Sequence, residues 1–125
     1  KGAINGKDLW ARLERKEKIV LLDIREYWEH DIANIPEATL ITSNNSEKIL
    51  GGLSLNDEIV LIDWKGERGG SFLSWLSEKG FLNVKCLKGG IDLWATEVDT
   101  QMSRYDIDED DGYRYEDIVP DKDQE

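Results

Sequence analysis

Residues 59–76 read "IVLIDWKGERGGSFLSWL", and this stretch determines the class of fold. Its first four residues are all apolar, which predicts a strand buried on both faces, as in a parallel sheet. A polar, glycine-rich segment then predicts a loop, and apolar residues resume at helical spacing through residue 76. Ligands of α/β domains bind beyond the carboxyl ends of the strands, so Asp63 is a candidate functional residue.

Strands and helices are predicted to alternate along the rest of the chain. We expect the helix over residues 26–32 to turn Tyr27, Trp28 and Ile32 inward, and Asn5 to cap the first helix. The alternation predicts an α/β domain of three layers, with a central, mostly parallel sheet flanked by helices. Strands are predicted over residues 18–23, 38–41, 58–63 and 83–87, and helices over 5–16, 26–32, 46–53, 70–80 and 91–98.

The charge distribution divides the chain into a domain over residues 1–105 and an acidic C-terminal tail over residues 106–125. The tail has ten acidic side chains against Arg114 and Lys122, so it carries −8 of the net charge of −11. Its low hydrophobicity is typical of a solvated segment. Two alternatives remain for the tail. Tyr113 and Tyr115 could dock on the domain or a partner. Alternatively, "DIDEDDGYRYED" is similar to a calcium-binding loop, but its glycine comes seventh where such loops have it sixth.

Composition excludes several classes of function. The negative charge disfavours nucleic acids and anionic membranes, and no window approaches the roughly 18 apolar residues of a membrane span. No signal peptide is visible, and the start at lysine suggests a fragment of a longer protein. With one cysteine and one histidine, the chain can form neither an internal disulfide nor a Cys/His zinc site. We expect a cytoplasmic protein without cofactor or metal.

Two separated motifs resemble the rhodanese-like domain family. Residues 21–41, "LLDIREYWEHDIANIPEATLI", are similar to its Asp-x-Arg-Glu strand end followed by a short helix and an Ile-Pro-x-Ala segment. Residues 80–99, "GFLNVKCLKGGIDLWATEVD", are similar to its closing motif, in which a strand leads into Gly-Gly-Ile and a tryptophan. The resemblance implies the rhodanese-like fold.

The resemblance also implies where the active loop lies. Counting back from Gly80, the family's six-residue loop from cysteine to arginine falls on residues 63–68, so Asp63 stands where active members carry the nucleophilic cysteine. In those members, backbone amides at a helix start stabilise the thiolate and the persulfide. We take Asp23 and Arg25 as supporting residues. The predicted binding loop is Asp63, Trp64, Lys65, Gly66, Glu67, Arg68 and Gly69.

An aspartate at the nucleophile position changes the expected chemistry. A carboxylate cannot store sulfur as a persulfide, so we expect Asp63 to stabilise the loop, with Lys65 or Arg68 as its partner. Cys86 lies in a predicted strand, which favours a packing role, and His30 is expected at the surface. Phosphoryl transfer to Asp63 is a further alternative, but it requires a magnesium site for which Asp23 is the available neighbour.

We therefore predict a catalytically silent rhodanese-like domain that serves as a binding or regulatory module. Its partner is expected to be another protein or an adjacent domain. The alternative is an enzyme of the sulfurtransferase class that works with a thiol supplied by another protein or domain.

Overall fold

The computed structural model describes residues 2–107, which form a five-stranded parallel sheet with helices on both faces. The spatial order of the strands is β1-β5-β4-β2-β3. The strands are β1 (Ala3–Ile4), β2 (Val20–Asp23), β3 (Ala38–Leu40), β4 (Glu58–Ile62) and β5 (Asn83–Leu87). The helices are α1 (Gly6–Glu14), α2 (Tyr27–Ile32), α3 (Ser46–Gly51), α4 (Gly69–Glu78) and α5 (Gly90–Glu97).

A separate hydrophobic core lies on each face of the sheet. One core includes Leu50 of α3 and Phe72 and Leu76 of α4. The other includes Leu9 of α1 and Trp94 of α5. Central strands supply both cores, because successive side chains of a strand point to opposite faces. The predicted three-layer α/β architecture is confirmed, and every strand pairing in the described residues is parallel.

The register of the central strands brings the two candidate aspartates to the same edge of the sheet. Asp23, the last residue of β2, pairs with Ile62, the last residue of β4, so Asp63 lies one position further along. Ile62 contributes to the core beneath α1 and α5, whereas Leu61 contributes to the core beneath α3 and α4. By alternation, the side chains of Asp23 and Asp63 point to opposite faces.

Local signals account for the start of α1 and the end of α4. The side chain of Asn5 accepts a bond from the backbone N–H of Asp8 at 2.8 Å, so it caps α1 as predicted. Gly80, which has a positive φ of 102°, follows α4. Strand β1 was not predicted, because two residues are too short for a periodic pattern and are extended only by pairing with β5.

The prediction that α2 buries its apolar side chains was wrong. Tyr27, Trp28 and Ile32 are 72%, 43% and 45% exposed, while Glu29 is 2% exposed. The inner face of α2 meets a group of polar side chains, and hydrogen bonds there hold Glu29 inside.

The predicted tail over residues 106–125 lies, apart from residues 106 and 107, outside the described part of the chain. Within residues 2–107, no helix is long and apolar enough to cross a membrane.

Candidate functional site

The loop between β4 and α4 is built around the carboxylate of Asp63. Asp63 is 3% exposed. Its Oδ1 accepts the backbone N–H of Gly66 at 2.5 Å, and its Oδ2 accepts that of Arg68 at 2.9 Å. The backbone N–H of Gly69 also bonds to this carboxylate. Amides of the loop and of the first residue of α4 therefore converge on an anion that is part of the chain.

The N-terminus of α5 supports the same loop from the other side. The carbonyl of Asp63 accepts the N–H of Ile91, and the carbonyl of Trp64 accepts that of Asp92, both at 2.9 Å. Gly66 has a φ of +81°, and a Cβ there would lie 2.6 Å from the nitrogen of Gly89. This close approach and the positive φ explain the glycine at position 66, whereas Gly89 has a φ of +75° and a Cβ there would meet the side chain of Leu93.

Two opposing effects act on the pKa of Asp63. Burial is the larger effect and raises the pKa above its ordinary value, while the hydrogen bonds from Arg68, Gly66 and Gly69 act to lower it. The hydrogen bonds come from backbone donors. The side chains of Lys65 and Arg68 were the predicted partners of Asp63. Arg68 bonds to Asp63 through its backbone amide, and the ammonium of Lys65 lies 4.5 Å from the centroid of the Trp64 ring.

Asp23 and Arg25, the predicted supporting residues, form a buried ion pair at the end of β2. Arg25 is fully buried, and its guanidinium donates from Nε to Asp23 Oδ1 at 2.9 Å and from Nη2 to Oδ2 at 2.7 Å. It also donates to the carbonyl oxygens of Glu29 and Ala33. Asp23 thus anchors its strand end through Arg25.

Sequence reasoning missed three further members of this buried group. The hydroxyl of Tyr105 accepts a bond from Arg25 at 2.8 Å and donates to Glu29 at 2.7 Å. His30, expected at the surface, is half-buried, and its Nδ1 lies 2.7 Å from Asp23 Oδ2. The sequence did not identify Tyr105 and Glu29 as partners. They lie 76 positions apart, and neither belongs to a motif that indicates such a bond.

Tyr105 also connects the buried ion pair to the loop. Its ring stacks on that of Trp64 at 6.2 Å between centroids, and its carbonyl accepts the indole N–H of Trp64 at 3.2 Å. The ring of Trp28 meets it edge-on at 5.6 Å. The C-terminal part of the described chain is therefore packed against one side of the loop.

Cys86, for which the sequence predicted a packing role, lies directly beneath the loop. A Cβ added to Gly69 would be 2.8 Å from the Cys86 sulfur and 4.0 Å from Asp63 Oδ2, so all three meet at the base of α4. Burial, followed by the charge of Asp63, raises the pKa of the Cys86 thiol to about 11. The thiol is therefore protonated at neutral pH and a poor nucleophile.

The structure separates the two carboxylates that a magnesium site would need. The carboxylate of Asp23 is bound by Arg25 and His30, whereas that of Asp63 is bound by loop amides. No cluster of three or more His, Cys, Asp or Glu side chains suited to a metal ion occurs within residues 2–107.

Comparisons with known proteins agree with this fold. The structure of a rhodanese-related protein from Thermoplasma volcanium is similar at a TM-score of 0.64 and 26% identity, covering 78% of this chain and 94% of that one. The "Probable adenylyltransferase/sulfurtransferase MoeZ" of Mycobacterium tuberculosis is 32% identical over 104 residues. The "Thiosulfate sulfurtransferase GlpE" of Pseudomonas syringae is 24% identical over 86 residues.

The extent of these similarities differs between the relatives. The match to MoeZ covers 82% of this chain but 26% of that protein, so the chain spans about a quarter of its length. The match to GlpE covers 69% of this chain and 81% of that protein. The family model for the rhodanese-like domain matches residues 5–97. The chain therefore belongs to the rhodanese-like domain family.

Proposed function

We propose that this chain is a rhodanese-like domain that transfers no sulfur by itself and acts as a binding or regulatory module. The observation that carries the proposal is the carboxylate of Asp63 within its ring of backbone amides. The family resemblance assigns this position to the nucleophilic cysteine. The amides that would stabilise a thiolate or persulfide are already bound to an anion of the protein itself.

The chemistry of the side chain supports the same conclusion. Sulfur transfer through a persulfide requires a thiolate that attacks a sulfane sulfur and keeps it as an S–S bond. A carboxylate oxygen has no equivalent intermediate. Cys86 is a poor substitute, because its thiol is protonated at neutral pH and lies beneath Gly69.

A binding role agrees with the exposure of the loop. Lys65, Glu67 and Arg68 are exposed, although Asp63 at the start of the same loop is buried. Side chains of this kind on a rigid loop can contact a partner without any chemistry at the loop's centre. We propose a protein partner or an adjacent domain, and a reducing, cytoplasmic-type compartment, since the chain has a single cysteine.

The relatives favour a second candidate function. MoeZ and GlpE both have sulfurtransferase in their names. In this alternative, the chain takes part in sulfur transfer with a thiol supplied by another protein or domain. Because the chain spans about a quarter of the length of MoeZ, the rest of such a protein would have room for that thiol.

A thiosulfate-to-cyanide assay tests the proposal. We expect the purified chain to form thiocyanate no faster than buffer does, and the Asp63→Ala and Cys86→Ser variants to match it. Turnover by the wild-type chain that Cys86→Ser abolishes would overturn the proposal. Repeating the assay with the monothiol glutathione tests the alternative. Cyanide can take the sulfane sulfur from glutathione persulfide, so thiocyanate formation faster than with glutathione alone would mean that the domain assists an external thiol.

A further inference from the structure

Helix α2 exposes its apolar side chains and buries an acidic one. Among residues 2–107, six large hydrophobic side chains are exposed, and three of these lie on this six-residue helix: Tyr27, Trp28 and Ile32. Glu29, on the inner face, is 2% exposed. This is the reverse of the usual surface helix, whose apolar side faces the core. Contiguous exposed apolar side chains mark interaction surfaces in stable proteins.

The inverted orientation is fixed by hydrogen bonds. The Oε1 of Glu29 accepts the backbone N–H of Glu26 at 2.9 Å, and its Oε2 accepts the hydroxyl of Tyr105 at 2.7 Å. The carbonyl of Glu29 accepts a bond from Arg25. Turning the helix to bury Tyr27 and Ile32 would break these bonds and leave buried polar groups unpaired, which is costly. The apolar face is therefore held toward solvent.

The exposed side chains form two adjacent rows. Residues four apart on a helix are neighbours, which pairs Trp28 with Ile32 and Tyr27 with Asp31. The ring of Trp28 is steadied by its edge-on contact with Tyr105. An aromatic side chain that is ordered before binding loses little entropy when a partner arrives. Tyr105 in turn stacks on Trp64, so the α2 face is continuous with the loop.

The charges of the segment that carries this face favour one kind of partner. Residues 26–47 contain no lysine or arginine. Asp31 and Glu37 are exposed, and the histidine in this segment, His30, is paired with Asp23. Cations are attracted both to the carboxylates and to the faces of the exposed aromatic rings.

We infer that the outer face of α2 is a docking surface for a partner protein segment that combines apolar side chains with lysine or arginine, such as a basic amphipathic helix. The inference rests on the proposed function of the chain as a binding module. Other occupants fit the charges poorly. The acidic residues 106–125 and an anionic membrane would be repelled, and a second copy would bring Asp31 close to like charges.

A defined peptide tests the surface. The probe is a fluorescein-labelled helical peptide of about 18 residues containing leucine on one face and lysine on the other. Its matched control has glutamate in place of lysine. We expect saturable binding of the lysine peptide by fluorescence anisotropy, and binding of the glutamate peptide at least about tenfold weaker. Asp31→Lys should weaken the lysine peptide's binding.

Variants locate the binding site on the protein. The Tyr27→Ala/Ile32→Ala double variant removes exposed side chains, so it should stay folded and raise the Kd for the lysine peptide by about tenfold or more. Leu82→Ala removes a hydrophobic side chain that is 77% exposed and lies outside α2, and it should change the Kd by less than about twofold. Thermal unfolding of each variant checks its fold.

Three outcomes would overturn the inference. The first is that the wild-type chain shows no saturable binding of the lysine peptide. The second is that Leu82→Ala raises the Kd as much as the Tyr27→Ala/Ile32→Ala double variant does. The third is dimerisation in sedimentation equilibrium that the double variant abolishes. The thiosulfate assay on the same preparations keeps the two proposals apart. Thiocyanate formation would overturn the silent-domain proposal alone, whereas loss of peptide binding without any turnover would overturn the docking surface alone.

Discussion

The carboxylate of Asp63 accepts hydrogen bonds from Gly66, Arg68 and Gly69, which would otherwise present open N–H groups at the start of α4. A thiolate at the same position would be stabilised by the same donors. Under the proposed function, the difference between a reactive loop and an unreactive one depends on this single side chain. Replacing that side chain tests whether the amide geometry has been kept.

Asp63→Cys in a Cys86→Ser background should create a thiol with a pKa below the ordinary value of about 8.5, because the loop amides favour its ionised form. We expect iodoacetamide to alkylate it roughly tenfold faster at pH 7 than free cysteine, since more thiolate is present. The pH dependence of the alkylation rate gives the pKa. A rate equal to that of free cysteine would show that the amides no longer converge without the carboxylate.

Gly69→Ala should destabilise the protein, because its Cβ would lie 2.8 Å from the sulfur of Cys86. Overpacking of this kind costs about 1–3 kcal/mol of unfolding free energy, measured by urea denaturation. Gly70→Ala is the matched control: no atom lies within 4 Å of its added Cβ, so we expect no loss of stability.

Gly69→Ala in a Cys86→Ala background tests the cause of the lost unfolding free energy. Without the sulfur, most of the effect of Gly69→Ala should disappear, which a double-mutant cycle detects. An unchanged penalty in that background would mean that Cys86 does not set the space available at Gly69.

At the scale of elements, predictions succeeded where the signal is local. The apolar run of β4 and the caps of α1 and α4 were readable because each involves neighbouring residues. The orientation of α2 was not, since one of the groups that hold Glu29 inside is the hydroxyl of Tyr105, 76 positions away. Aromatic residues on a short helix favoured burial, and the hydrogen bonds of Glu29 outweighed that preference.

The attachment of α1 to the sheet depends on a charged group at the start of β4. Glu58, whose side chain is 14% exposed, forms paired bonds with Arg12 of α1 and a 3.1 Å bond with Lys85 of β5. The hydrogen bond from Arg12 is the main cause that lowers the pKa of Glu58 to about 2 from its ordinary value of 4.5. The ionised carboxylate therefore stabilises the fold above pH 4.5, and this contribution is lost as the pH falls toward 2.

Glu58→Gln should lower the unfolding free energy by about 1–3 kcal/mol at pH 7, because it removes charge-assisted hydrogen bonds that are shielded from water. Urea denaturation should show the difference from wild type shrinking between pH 4.5 and pH 2. Lys18→Met removes an ion pair whose lysine is 85% exposed, and it should change the unfolding free energy by less than about 0.5 kcal/mol. A constant difference at all pH values would contradict the role of the charge.

At the scale of the whole molecule, Tyr105 joins parts of the chain that are far apart in sequence. It contacts Arg25 after β2, Glu29 and Trp28 of α2, and Trp64 of the loop. The segment after α5 is therefore part of the folded domain, although the family match ends at residue 97. The folded domain therefore reaches at least Tyr105, and a boundary directly after it stays a prediction.

Tyr105→Phe should reduce the unfolding free energy by about 1–3 kcal/mol, because the buried carboxylate of Glu29 loses a donor and Arg25 loses an acceptor. Tyr27→Phe is the matched control, because Tyr27 is 72% exposed and its hydroxyl should contribute less than about 0.5 kcal/mol. Equal effects of the two variants would show that the hydroxyl of Tyr105 carries no stabilising bond.

Truncation tests the boundary itself. A chain that ends after Ile107 should match the unfolding free energy of the 125-residue chain, whereas one that ends after Arg104 should be less stable because it lacks Tyr105. A large loss of unfolding free energy in the chain that ends after Ile107 would mean that the acidic tail contributes to the fold.

The sequence by itself determined the order of the strands and helices after β1, the parallel sheet and the loop that carries Asp63, because periodicity, glycine positions and apolar runs act between near neighbours. Tertiary structure alone decided that Cys86 lies beneath Gly69, that His30 pairs with Asp23 and that Tyr105 reaches Glu29. These contacts arise from how packed elements bring distant side chains together. Residue patterns along the chain do not encode the distances between such partners.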